Sequence, residues 1–219
     1  MLASSLRETR GGQWTTAVAL LLALGGAAGC GQQNTTGQSP SYLVVDALQA
    51  ASGAKPGTFS GTLDSDVVTN VTATVGDQEV IAPTVYEDVG QANLRMALKD
   101  VGTATSVTSP TAANLITVTR YHVEFKRSDG RNTPGVDVPY PFDGGATGTF
   151  GADGGLLSFT IVRAQAKLEA PLKALRNGGG AMVISTIAEV TFYGADQNGN
   201  TVSVTGYISV NFADWGDPS

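Results

Sequence analysis

Apolar and polar positions alternate with a period of two along most of this chain, and Gly, Asn, Asp and Pro clusters break the alternation at intervals. The clearest case lies near the C-terminal end. Ala188, Val190 and Phe192 alternate with Glu189, Thr191 and Tyr193, and Val202, Val204, Gly206, Ile208, Val210 and Phe212 share one parity. Asn198-Gly199 sits between the two runs, so the pattern predicts a β-hairpin. Gln91 to Lys99 reads as a half-buried strand, with Ala92, Leu94, Met96 and Leu98 on one face. Tyr42 to Leu48 is a short strand. Val67 to Val75 places Val67, Thr69, Val71, Ala73 and Val75 on one face, and Gly76-Asp77 turns the chain. Ser52 to Gly61, with Gly53, Pro56, Gly57 and Gly61, is a loop.

Two places break parity inside an apolar stretch. Ile116 and Val118 have one parity, and Tyr121, Val123 and Phe125 the other. A strand buries both sets only if an extra residue enters near Thr119-Arg120, which predicts a β-bulge or sharp bend there. Likewise Leu157, Phe159 and Ile161 conflict with Val162, Ala164, Ala166 and Leu168, so a second bulge or a change of sheet is expected near Ile161-Val162. Glu169 to Asn177 is the one helical piece of the mature chain, with Pro171 in its first turn, Leu172 and Leu175 on one side and Asn177-Gly178 as the stop. Strands recurring between turn signals, without βαβ spacing, point to an all-β, antiparallel sandwich. At the level of pattern, residues 41–219 resemble the immunoglobulin-like or fibronectin type III-like modules of bacterial surface proteins. The stretch exceeds the ~100 residues of one such module, so it needs extra strands or long loops.

The N-terminal end follows a different pattern. Arg7 and Arg10 precede the apolar run Ala17 to Leu24, and Gly25-Gly26-Ala27-Ala28-Gly29 leads into Cys30, the only cysteine. This is the layout of a secretory signal over residues 1–29, with a signal helix far short of the ~20 apolar residues of a membrane span. Ala27-Ala28-Gly29-Cys30 resembles a bacterial lipobox. Ala27 stands where a leucine is usual, so cleavage by an ordinary signal peptidase is the alternative. The resemblance implies that Cys30 is lipidated and becomes the first mature residue. Each buried CH₂ contributes about 0.8 kcal/mol, so stable anchoring takes more than one acyl chain. Gly31 follows the cysteine where some lipoproteins carry an inner-membrane retention aspartate, which implies sorting to the outer membrane. Residues 30–40 are then the lipidated cysteine and a flexible polar tether, and 41–219 a single β-sandwich domain. The membrane, through lipid on Cys30, is the implied partner.

Charge and composition agree with an extracytoplasmic β-protein. Loss of residues 1–29 removes two arginines and one glutamate and takes the net charge from −6 to −7. An acidic chain lacks the basic footprint that nucleic-acid binding requires. Charged residues make up 15% of the chain, against a usual ~25%, and no cysteine is left for a disulfide. A domain of this size buries enough core without one.

Candidate chemistry is sparse, and no cofactor is implied. His122, the single histidine, shares a strand face with Glu124 and Lys126 and reads as a solvated residue. Ser52-Gly53-Ala54-Lys55 spells S-x-x-K, but Gly53 and Pro56-Gly57 prevent the helical turn that would bring serine and lysine together. Asp196, Asn198 and Asn200 alternate as in a calcium loop, yet Tyr207 occupies the position where an EF-hand needs glutamate. They read as a polar turn or a weak Ca²⁺ site. The Asp64/Asp66 and Glu87/Asp88 pairs are candidate carboxylates for glycoside hydrolysis, which needs two acids flanking the bond. Val138-Pro139-Tyr140-Pro141-Phe142-Asp143-Gly144 is a stiffened loop with two aromatics. It either presents Tyr140 and Phe142 to a glycan or protein partner, or covers an end of the sandwich; either proline bond is a candidate for cis. These features favour a non-enzymatic envelope domain with a structural or protein-interaction role. The alternative is a carbohydrate-binding or glycan-hydrolysing domain.

Overall fold

The computed structural model describes residues 37–216. The expected signal segment and signal helix, and Cys30, lie outside the described residues. Two main sheets share one core. The first takes β1 (Ser41–Ala51), β5 (Asp88–Leu98) and β10 (Gly155–Val162) in the order β1-β5-β10. The second takes β2 (Thr62–Asp66), β8 (Ile116–Lys126), β9 (Phe142–Phe150), β11 (Ile184–Asp196) and β12 (Thr201–Ala213) in the order β2-β12-β11-β8-β9. This larger sheet curls into a half-barrel. A separate hairpin joins β3 (Thr69–Val75) to β4 (Gln78–Thr84), and a tiny one joins β6 (Gly102–Thr103) to β7 (Ser106–Val107). The domain is all-β in character. It is not wholly antiparallel, because β2 runs parallel to β12 along the edge of the large sheet.

Alternation becomes burial where the two sheets face each other. Ala188, Val190 and Phe192 on β11, Ile208, Val210 and Phe212 on β12, and Ala92, Leu94 and Met96 on β5 all point into the core. Aromatic rings bridge the sheets: Phe159 of β10 packs on Tyr121 of β8 at 5.1 Å and edge-on to Phe192 of β11 at 5.3 Å between ring centroids. Such pairs add about 0.5–1.5 kcal/mol each beyond the area they bury. The Tyr121 hydroxyl accepts the Thr160 backbone N–H at 3.2 Å, which keeps this buried phenol satisfied. The Phe159 ring lies across Gly90, directly opposite on β5, where a Cβ would sit 2.4 Å from the ring.

Both expected bulges are present. In the pairing of β8 with β11, Val118 and Arg120 face the consecutive residues Gly194 and Tyr193, so Thr119 is the extra residue, and Val118 and Tyr121 are both buried. In β10 the register skips between Thr160 and Val162, and both Ile161 and Val162 are fully buried. The β11–β12 hairpin turns at Asn198-Gly199, with Gly199 at a φ of 84° that suits glycine.

Three expectations require correction. The α-helix among the described residues is α1 (Ala164–Leu168), in a stretch whose parity reads as strand. Residues 169–177 hold a single 3₁₀ turn, Leu172–Leu175, whose two leucines are buried as the pattern requires. Helical geometry can turn neighbours in sequence to the same side, and Ala166 and Lys167 are both inside. Second, residues 67–75 are not one half-buried strand. Val67 and Thr69 are buried, but Val75 at the tip is 67% exposed, because β3 leaves the core and pairs with β4 alone. Third, the cis peptide among the described residues precedes Pro171, and those before Pro139 and Pro141 are trans. The polar tether also ends early: Ser39 is buried, the Pro40 carbonyl accepts the Lys99 N–H, and the Gly37 carbonyl accepts Lys99 Nζ.

Candidate functional site

The loop with two aromatics splits its rings. Tyr140 is 52% exposed, with its ring lying against Gly135. Phe142 is the first residue of β9 and is buried, edge-on to Tyr121 at 6.2 Å and under the Arg163 guanidinium at 4.4 Å. Phe142 is therefore a core residue beneath a cation–π contact, and a partner approaching this loop meets Tyr140.

The other polar candidates are also accounted for locally. His122 Nδ1 lies 3.2 Å from Asp143 Oδ1, which also accepts from Arg120. Ser52 Oγ accepts the Ala54 N–H in a tight turn, and Lys55 is exposed, so no serine–lysine pair forms. Asp196 Oδ1 accepts the backbone N–H groups of Asn198 and Asn200 at 2.9 Å each, and the Asn200 side chain donates to both carboxylate oxygens. Burial works to raise this carboxyl's pKa, but the hydrogen bonds outweigh it and hold it below its ordinary value. Its acceptors are engaged by N–H donors, as in an Asx turn. Among the described residues no three His, Cys, Asp or Glu side chains converge as a metal site, and no helix is long and apolar enough to cross a membrane.

Two constellations emerge that the sequence leaves scattered. The first is a cavity of about 400 Å³ beside the 52–61 loop, lined among others by Lys55, Thr58, Asp64, Asp66 and Trp215. Asp64 is exposed on β2 and accepts from the Asn211 amide at 3.0 Å. Asp66, two residues on, is buried; its Oδ2 accepts the Thr69 hydroxyl at 2.6 Å and its Oδ1 the Trp215 N–H at 3.1 Å. Burial raises its pKa, and the hydrogen bonds offset only part of that. Trp215 is half-buried, and its indole Nε1 is enclosed without a hydrogen-bond partner.

The second constellation lies deeper. Asp88 opens β5 and is fully buried; Lys167 projects from α1 and is equally buried, 2.8 Å from Asp88 Oδ1. The same Oδ1 accepts the Gly53 N–H at 2.8 Å, and Oδ2 accepts the Ser65 hydroxyl at 2.6 Å. Burial drives the Asp88 carboxyl above its ordinary range despite the adjacent ammonium and these donors. Asp88 is thus a buried ion-pair partner while Glu87 beside it is exposed, so the Glu87/Asp88 pair is not two carboxylates facing one open site. Sequence reading misses the partner because Lys167 lies in a short helix whose period the flanking strand pattern hides. No family model matches the chain, nor does any curated protein or solved structure.

Proposed function

We propose that this chain is a lipid-anchored protein of the bacterial cell envelope, held at the outer membrane through Cys30, whose immunoglobulin-like β-domain has a non-enzymatic structural or protein-interaction role. The observation that carries this reading is the order of segments: arginines, an apolar run, small residues before a lone cysteine, a polar stretch, then a β-domain that begins at Ser41. Two sheets over one aromatic core, with a parallel edge pair, support the immunoglobulin-like description. The anchor is tested by Cys30→Ser in a bacterial host. Wild-type chain is expected in the membrane fraction with an acylated N-terminal cysteine, and the variant as uncut precursor. A variant that is cut and released normally overturns lipidation.

A second reading, glycan binding, draws on the cavity of Asp64, Asp66 and Trp215. An aromatic edge beside carboxylates and hydroxyls is the chemistry that sugars meet. A glycan array on the chain from Cys30 onward separates the two. Specific binding lost in Trp215→Ala favours the glycan reading; binding lost in Tyr140→Ala instead assigns recognition to the 138–144 loop.

A further inference from the structure

We propose that Lys167 and Asp88 are the two halves of an intramolecular isopeptide bond, joining α1 to the start of β5. The juxtaposition that carries this is a lysine and an aspartate 79 residues apart, 1% and 0% exposed, with Nζ 2.8 Å from one carboxyl oxygen. An amine held at hydrogen-bond distance from a carboxyl oxygen is within one bond of the carbonyl carbon, the range in which fixed geometry replaces a bimolecular encounter.

The chemistry closes without any co-reactant. Passing one proton from the Lys167 ammonium to the Asp88 carboxylate leaves a neutral amine beside a carboxylic acid, the uncharged form an apolar interior favours. The Nζ lone pair then forms a bond to Asp88 Cγ. Negative charge develops on Oδ2, where the Ser65 hydroxyl already donates, and the Gly53 N–H holds Oδ1 in place. A second proton passes from nitrogen to Oδ1, the Cγ–Oδ1 bond breaks, and that oxygen departs as water. Ammonium and carboxylate thus become amide and water, with no change in oxidation state. Asp66, next to Ser65 on β2, is close enough for the Lys167 charge to act on its carboxyl, and supplies a second buried acid to the same region. Exclusion of solvent protects the amide from the reverse reaction.

The test is a tryptic map of the purified, folded full chain, denatured before digestion and read by tandem mass spectrometry. Trypsin does not cut after a lysine whose Nζ is acylated. Residues 164–173 are therefore expected uncut at Lys167 and covalently joined to the peptide holding Asp88, with a mass one water below the sum of the two. Lys167→Arg and Asp88→Ala are expected to abolish the linked peptide. Ser65→Ala is expected to slow its appearance during refolding by about 100-fold, the usual loss for one such donor. The wild-type map decides the matter even if a variant fails to fold. Complete cleavage after Lys167 with both peptides free, or a link that maps to another lysine or another acid, overturns the proposal.

Discussion

The hairpin of β3 and β4 and the hairpin of β11 and β12 are built from similar material, alternating Val, Thr and Ala around a tight turn, yet they end in opposite surroundings. β11 is flanked by β12 and β8, β12 by β2 as well, and the opposite sheet covers their apolar face. β3 and β4 have only each other. Val75, Val80 and Ile81 are 67%, 45% and 70% exposed, and Pro83 breaks the donor row of β4. An isolated two-stranded hairpin is marginal in water, so this one is held by its covalent and polar attachment to the core rather than by its own packing. Alternation therefore specifies a strand; what covers the apolar face is decided by neighbours that come from elsewhere in the chain.

That contrast breaks first at Phe192. Phe192→Ala removes the ring that meets Phe159 across the sheets and is expected to cost about 3–5 kcal/mol in denaturant unfolding. A loss no larger than that of a surface substitution would mean that β11 is not the covered strand. Gly90→Ala places a methyl group 2.4 Å from the Phe159 ring, and the forced shift is expected to cost about 1–3 kcal/mol.

Asp66 sharpens the comparison, because it stands where the large sheet hands over to the exposed hairpin and its carboxylate binds Thr69 at the start of β3. Burial raises its folded pKa above the unfolded value. The protonated form is therefore favoured by folding, and this contribution is fully present below the ordinary aspartate value of about 3.9 and lost as pH rises through the folded pKa. Unfolding of wild type and Asp66→Asn, compared at pH 4 and pH 8, should show the wild type losing ground to the variant at the higher pH. A difference that is flat or reversed would assign Asp66 a net ion-pairing role. The smallest effect is expected at the hairpin itself, where Ile81→Thr should stay within about 0.5 kcal/mol.

Much of the framework is legible in residue order. The parity conflict at Thr119 specifies a bulge because only one inserted residue lets both Val118 and Tyr121 point inward, and the same logic holds at Ile161-Val162. The Asn198-Gly199 turn and the Pro171 start of the Leu172–Leu175 turn follow from local backbone chemistry. The parallel β2–β12 edge, the α1 helix and the exposed fate of β3–β4 are not legible. Each depends on contacts between segments far apart in sequence. The polar sites are less legible still: Asp66 with Trp215, and Asp88 with Lys167, are separated by 149 and 79 positions, and no local pattern marks one end for the other.

By itself the sequence determined the β-rich character, the bulges and the principal hairpin, because side-chain parity and turn stereochemistry act over a few residues. It also set out the arginines, apolar run and small residues that lead to Cys30. The tertiary structure alone decided which alternating strands are covered, that Phe142 is a core ring while Tyr140 faces water, and that Lys167 reaches Asp88 in a dry interior. Burial and ion pairing depend on distance in space, and that distance exists only once the two sheets have closed on each other.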